Sequence, residues 1–290
     1  MSSSPSPNTP PPTPDRTGLT LMAVHAHPDD EATSTGGILA RYASEGVRTV
    51  LVTCTDGRCG DGPGGVKPGE PGHDPAAVAG MRRAELARSC ETLGVSDAEM
   101  LGYADSGMMG WDMNKAPEAF WAAPVPEAAE RLAALIRRYR PDVLVTYDEN
   151  GFYGHPDHIQ ANRAAMAAID LLAPEEAPAK VYWTTVPHSD IRKLSALMRE
   201  NGADWDFTED EQPQIGLPDD EVTTWIDVRE FADRKYRALS AHASQSDNVF
   251  FLGLGLPAFT DLLGTETFLR VRDTTRRPAG RETDLFSGLR

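Results

Sequence analysis

The 290-residue sequence predicts an α/β sandwich built on a largely parallel sheet. Two observations carry that expectation. Short apolar runs alternate with stretches of helical periodicity along most of the chain, the order that βα units produce. Hydrophobic residues make up 40% of the composition, enough to bury the core of one large domain, or of one domain with a small lobe.

The elements follow in order. Leu19–His25 (LTLMAVH) reads as a first buried strand and Gly36–Glu45 as a helix stopped by Gly46. Thr49–Thr53 is a second strand, and Ala76–Leu93 a helix ended by Gly94. Val125–Tyr139 is a helix stopped by Pro141, with a strand at Val143–Thr146. Pro156–Leu172 reads as a helix with proline in its first turn, where the missing N–H costs nothing. Val181–Thr185 is a strand, Ser189–Glu200 a helix, Val222–Val228 a strand of a smaller subregion and Arg229–His242 a helix. Two segments break the rhythm. Residues 56–75 hold 7 Gly and 4 Pro in 20 positions, which excludes regular structure and marks a lid, a binding loop or disorder. Arg272–Arg290 reads as a polar tail with one apolar patch, Leu285-Phe286. The expected organisation is a disordered Pro/Ser-rich tail over residues 1–17 and a single domain over 18–290. Within it, about 180–290 forms a smaller C-terminal α/β lobe on the substrate side.

Composition narrows the function. A formal charge of -16 argues against a nucleic-acid binder, which shows a basic face. No apolar run approaches the roughly 18 residues that a membrane span needs, and the N-terminus lacks the apolar core of a signal peptide. Three cysteines supply no disulfide framework, as in a reducing compartment. The expectation is a cytoplasmic protein that acts on a small molecule.

The chemistry sits at two strand ends, where ligands bind in open α/β sheets. The first strand runs into His25-Ala26-His27-Pro28-Asp29-Asp30-Glu31. The strand Val143–Thr146 runs into Tyr147-Asp148-Glu149-Asn150-Gly151-Phe152-Tyr153-Gly154-His155-Pro156-Asp157-His158. So many ionisable groups are costly to bury unless paired or metal-bound. His27 and Asp30 are three apart, as are His155 and His158, a spacing that one helical turn brings to one side. Two histidines and one carboxylate suit a divalent first-row metal such as Zn²⁺ with positions left open for water. Asp29 would then be a base beside the metal water, His155 an acid or oxyanion donor, and Asp157 a partner fixing the His155 ring.

These blocks resemble the LmbE-like (PIG-L) zinc-dependent N-deacetylase family, whose mark is a His-Pro-Asp-Asp-Glu block and a later His-Pro-Asp-His block. The nearest branch in pattern is the actinobacterial one of mycothiol metabolism, with its N-acetylglucosaminyl-inositol deacetylase and mycothiol S-conjugate amidase. The resemblance implies a Rossmann-like fold and one Zn²⁺ or Fe²⁺ per subunit on His27, Asp30 and His158. It implies Asp29 as base, His155 with Asp157 behind it as acid and oxyanion donor, and Tyr153 as an aid to carbonyl polarisation. It also implies substrate contacts from Arg82, from Asp105 in Asp105-Ser106-Gly107-Met108, and from Met108. Trp111 would floor a sugar site on a moving flap or pack in the core.

The amidase pattern carries a lysine where this chain has Ser34, which favours the disaccharide deacetylase. One departure stands out. The branch places a Gly-Glu pair after the second strand, and here Arg58 stands where glutamate is expected. That points towards another N-acetyl amino sugar, for instance in natural-product assembly. His242 reads as a satisfied structural histidine, His25 as core or support for the ligands, His73 and His188 as surface and Cys54 as core. Rival classes fare worse. A 2-His-1-carboxylate iron oxygenase uses the same ligands but sits on an all-β fold. A silent sugar-binding protein would not need all six metal and catalytic positions filled. No Gly-x-Gly-x-x-Gly follows the first strand, as a Rossmann dehydrogenase requires.

Overall fold

The computed structural model describes residues 18–200, 215–275 and 280–290; the tail expected over 1–17 lies outside the described residues. The chain runs β1 (Thr20–His25), α1 (Asp30–Ser34), α2 (Gly36–Ser44), β2 (Arg48–Thr55), α3 (Pro75–Leu93), β3 (Asp97–Tyr103), α4 (Val125–Tyr139), β4 (Val143–Thr146), α5 (Gly151–Gly154), α6 (Pro156–Asp170) and β5 (Lys180–Thr185). It continues through α7 (His188–Glu200), β6 (Thr224–Asp227), α8 (Ala232–Ala241), α9 (Val249–Gly253), α10 (Gly255–Leu263) and β7 (Thr265–Asp273). No helix among the described residues is long and apolar enough to cross a membrane.

The seven strands form one sheet in the order β3-β2-β1-β4-β5-β7-β6. Strands β3 to β5 pair in parallel, and β7 enters antiparallel between β5 and β6. The parallel α/β expectation therefore stands, and the C-terminal α/β subregion is built onto the same sheet. Two strands were not anticipated. β3 (DAEMLGY) is an edge strand, half exposed, so it lacks the continuous apolar run of its buried neighbours. β7 (TETFLRVRD) is mostly polar, with apolar residues only at Phe268, Leu269 and Val271.

Helices cover both faces because side chains alternate along each strand. Leu21 and Ala23 pack with Ile38 and Tyr42 of α2 on one face, while Met22 and Val24 meet alanine-rich α4 and α6 on the other. α3 begins where Asp74 accepts the N–H groups of Ala76 and Ala77, with Pro75 at the first position, and ends at Gly94, φ 77°. Both ends are standard stops. The expected polar tail is anchored: Leu285 and Phe286 are fully buried and pack into the first core. Burying each such side chain stabilises by about 1.5–3 kcal/mol.

Topology places the site. The chain winds outward from β1 through β2 to β3, then returns to β4 on the other side. The crevice beyond the carboxyl ends of β1 and β4 is thus the switch point where open α/β sheets bind ligands. Both ionisable clusters leave the sheet there.

Candidate metal and active site

After β1 the chain turns sharply. Asp29 adopts φ 115°, ψ −26°, a conformation that costs a non-glycine residue about 1–3 kcal/mol and clusters at functional sites. The turn starts α1 at Asp30, and across the crevice α6 starts at Pro156. His27 Nδ1 lies 3.3 Å from His158 Nε2 and 3.3 Å from Asp30 Oδ2, while His158 Nε2 lies 3.5 Å from Asp30 Oδ1. Ligand arms of about 2.0–2.1 Å put donor atoms about 3.3–3.4 Å apart in a tetrahedral site, a spacing that these separations approach, although the two histidines face different oxygens of Asp30.

The outer atoms fix the tautomers. His158 Nδ1 donates to the Gly151 carbonyl at 3.2 Å, leaving Nε2 as a lone pair. His27 Nε2 donates to Asp157 Oδ2 at 3.2 Å, with Asp105 Oδ1 at 3.6 Å, leaving Nδ1 available. Such carboxylate and carbonyl supports are the usual second layer of a metal site. Asp30 Oδ2 accepts from the Tyr147 hydroxyl at 2.6 Å and from the His27 N–H at 2.7 Å. Tyr147 also stacks on His158, rings 4.2 Å apart at 16°. Burial pushes the Asp30 carboxyl up, but the neighbouring His158 and His27 outweigh it and hold it well below the usual range. Burial lowers His27, but Asp105, Asp157 and Asp30 outweigh it and hold that imidazole well above its usual value. A site that favours a proton on His27 so strongly suits a cation in its place.

Other candidate ligand groups are spoken for. His27, His155 and His158 offer atoms within 4.8 Å of one another, as do His27, Asp105 and Asp157. Yet His155 Nδ1 accepts the Asp157 N–H at 3.1 Å, which leaves Nε2 as a donor. The Asp157 carboxylate takes the Ser106 N–H at 2.8 Å and the Ser106 hydroxyl at 2.5 Å. Asp105 takes the N–H groups of Gly107 at 2.8 Å and Cys59 at 3.1 Å. His27 Nδ1, His158 Nε2 and the Asp30 carboxylate lie within 3.5 Å of one another.

Asp29 lies at the edge of this set. Burial raises its carboxyl to about 6, with Arg82 opposing and Asp30 adding to the rise. That value lies near the operating pH of a general base. His155 is driven far down by burial, then by His27 and His158, so it stands neutral.

Several expected roles meet a different placement. Asp157 was expected behind His155, but its carboxylate backs His27. Arg82 and Asp105, expected as substrate contacts, are 4% and 3% exposed. Arg82 pairs with Asp29 Oδ2 at 3.0 Å and donates to the carbonyls of Pro28 and Gly57, because α3 directs it under the turn. Met108 is 43% exposed and Tyr153 45%, both at the rim. The Tyr153 ring is 5.2 Å from His158 and 6.0 Å from His155. Trp111 packs on Gly107 (φ 66°), where a Cβ would come within 2.5 Å of the indole. Arg58 is folded back on Asp56 at 2.6 Å. His25 is buried between Tyr147 and Thr35, and Cys54 is core. Tyr147 was not anticipated as a site residue; its place directly after a buried strand, heading the second cluster, was the available signal.

The family model described as PIG-L, GlcNAc-PI de-N-acetylase, matches residues 22–169, which hold both clusters. A 1D-myo-inositol 2-acetamido-2-deoxy-alpha-D-glucopyranoside deacetylase of Acidothermus cellulolyticus is 43% identical over 284 residues, 93% of this chain and 94% of that one. The enzyme of the same name from Salinispora arenicola is 42% identical over 285 residues, 93% and 91% of the two chains. Among solved structures, N,N'-diacetylchitobiose deacetylase from Pyrococcus horikoshii has a TM-score of 0.60 at 17% identity, over 89% of this chain and 87% of that one. GalB, the 4-carboxy-2-hydroxymuconate hydratase of Pseudomonas putida KT2440, has a TM-score of 0.58 at 20% identity, over 90% and 99%. These structures share the fold, which carries more than one chemistry. The sequence matches go further: this chain belongs to the PIG-L family.

Proposed function

We propose that this protein is a metal-dependent N-deacetylase of an amino sugar, with 1D-myo-inositol 2-acetamido-2-deoxy-alpha-D-glucopyranoside as substrate in mycothiol biosynthesis. The observation that carries the reading is the cluster His27, Asp30 and His158, with ligand atoms 3.3–3.5 Å apart and a carboxyl raised to about 6 beside it. Relatives at 42–43% identity bear the name of that activity. A cytoplasmic setting and a single Zn²⁺, with Fe²⁺ as the alternative, complete the reading.

His27, Asp30 and His158 would hold the ion, which supplies Lewis-acid polarisation of the amide carbonyl and a lowered pKa for water. Asp29 takes the proton of the attacking water, and Arg82 keeps Asp29 charged at neutral pH. His155 donates its Nε2–H to the oxygen that gains charge in the tetrahedral state, and Tyr153 adds a second donor from the rim. His155 is kept neutral, so Asp29 returns its proton to the leaving nitrogen. The C–N bond breaks, and acetate and the free amine depart. Asp105 and Asp157 act through His27, and Met108 lines the mouth.

A second reading, an N-deacetylase of a different amino sugar, is favoured by Arg58, whose charge is opposite to the glutamate of the branch pattern. Amine release from the inositol glycoside, from a mycothiol S-conjugate and from plain N-acetylglucosamine, with zinc-loaded enzyme and a chelated control, tests both. Fast, chelator-sensitive cleavage of the first is expected. Cleavage of none would send the search to other N-acyl amino sugars, and chelator-insensitive cleavage would overturn the metal.

A further inference from the structure

Glu31 closes the first cluster, and neither metal binding nor proton transfer employs it. It is fully buried, a costly place for a carboxylate unless its oxygens are engaged. Both are. Oε1 accepts from His242 Nε2 at 2.7 Å and from the Ser89 hydroxyl at 2.5 Å. Oε2 accepts the backbone N–H of Asp29 at 2.9 Å. Ser89 belongs to α3 and His242 follows α8, so three parts of the chain converge on this carboxylate. His242, itself fully buried, has no partner at Nδ1 among the described residues; the hydrogen bond of its ring points at Glu31.

The group being gripped is the strained one. Asp29 is one of three non-glycine residues with positive φ among those described. Its carbonyl is held by the N–H groups of Ala32 at 3.0 Å and Thr33 at 3.2 Å. Its carboxylate is held by Arg82, and its amide is held by Glu31. A backbone in such a conformation persists only when its surroundings over-determine it.

We infer that Glu31, clamped by His242 and Ser89, is a positioning residue that fixes the Asp29 backbone and so aims the Asp29 carboxylate. This rests on the reading of Asp29 as base. Glu31 touches neither substrate nor metal; it acts through Asp29. Misplacement of a reacting group by about 1 Å costs on the order of 100-fold in rate, and that sets the expected effect.

The test uses the full chain, zinc-loaded, on whichever N-acyl amino sugar the unmodified enzyme cleaves. Asp29→Asn, Glu31→Leu and Glu31→Gln are compared by kcat, KM and bound metal. Leucine keeps the bulk and loses both acceptors. Glutamine keeps an oxygen for the Asp29 N–H, and its NH2 donates to Ser89 and His242 once the hydroxyl rotates and the imidazole proton moves to Nδ1. The expected result is a fall in kcat of about 100-fold for Glu31→Leu, with KM within about threefold and metal retained, and rescue to within about fivefold by Glu31→Gln. Glu31→Leu with kcat intact overturns the inference, and so does metal lost in step with activity, which would assign Glu31 to Asp30 instead. If the leucine variant does not fold, His242→Asn decides. A drop of about tenfold in kcat with KM and metal unchanged supports the clamp, and an unchanged kcat overturns it. Full turnover by Asp29→Asn removes the base reading itself, an outcome separable from any failure at Glu31.

Discussion

The Asp29 carboxylate and the Arg82 guanidinium meet at 3.0 Å under the turn that leaves β1, and the same guanidinium spans the Pro28 and Gly57 carbonyls. Burial raises the Asp29 carboxyl to about 6, and Arg82 is the largest opposing influence. A base works only when deprotonated, so activity falls as pH drops through this value. Arg82→Leu removes the opposing charge and moves the acid limb of kcat/KM to higher pH. A shift of one unit corresponds to about 1.4 kcal/mol. A pH–rate profile of the folded, metal-loaded variant checks this; an unmoved limb would take Arg82 out of the control of the base.

Metal and proton compete at His27. Its imidazole is held well above its usual value, burial notwithstanding, by Asp105, Asp157 and Asp30. Binding through Nδ1 therefore requires loss of a proton. Below that raised value, each unit of falling pH should weaken zinc about tenfold, which competition with a chromophoric chelator measures. Asp157→Asn removes the negative charge behind His27 and should weaken zinc by about 10–100-fold. His158→Ala should lose more, since it removes a ligand. Unchanged metal content in His158→Ala would move the site elsewhere.

What could be read from the sequence divides along physical lines. The grouping of His27, Asp30 and His158 was legible because each lies in a short block after a buried strand, where local spacing decides geometry. The pairing of Asp157 with His27 was not, because 130 residues separate them and only the β1–β4 neighbourhood brings them together. The same holds for Tyr147, which reaches Asp30 across 117 residues. Arg82 and Asp105 were read as substrate contacts from motif alone, and no motif encodes their inward partners, Asp29 for Arg82 and the Gly107 and Cys59 N–H groups for Asp105. β3 escaped because an edge strand buries one side only, and the Gly- and Pro-rich segment 56–75 gave no hint that Gln245 would pin it, through the Asp61 N–H at 3.1 Å and carbonyl at 3.3 Å.

Arg58 offers a test of specificity apart from metal binding. Its guanidinium lies on Asp56 at 2.6 Å, and Asp56 in turn accepts the Asp105 N–H at 3.3 Å, so the reversed charge sits one step from the supports of His27. Arg58→Glu restores the charge of the branch pattern and breaks the Asp56 pair. The ratio of kcat/KM between the inositol glycoside and plain N-acetylglucosamine should change by about tenfold, the scale of one altered contact, with bound zinc unchanged. An unaltered ratio would make Arg58 a bystander.

Stability is controlled at the opposite end of the sheet. Glu282, in the C-terminal segment, accepts from Lys180 Nζ at 2.5 Å, from Tyr182 at 2.8 Å and from Arg270 at 2.9 Å. Lys180, the first residue of β5, is fully buried, so it has no water to turn to if Glu282 is removed. Breaking a buried ion pair from one side costs about 3–5 kcal/mol, because the remaining charge stays desolvated. Glu282→Ala leaves Lys180 and Arg270 to share the more distant Asp273 carboxylate, at 3.8 Å and 3.7 Å, and the apolar anchor Leu285-Phe286 follows only three residues later. Urea unfolding should show a loss in that range, and Glu282→Gln, which keeps the hydrogen-bond acceptor and loses the charge, should fall between. The site lies beyond the carboxyl ends of β1 and β4, whereas Lys180 opens β5 at the other end. Folded Glu282→Ala enzyme should therefore bind zinc and turn over as the unmodified chain does. A stability within about 0.5 kcal/mol of the unmodified chain, the range of an ordinary surface substitution, would show that the cluster contributes nothing to holding the C-terminal segment on the sheet.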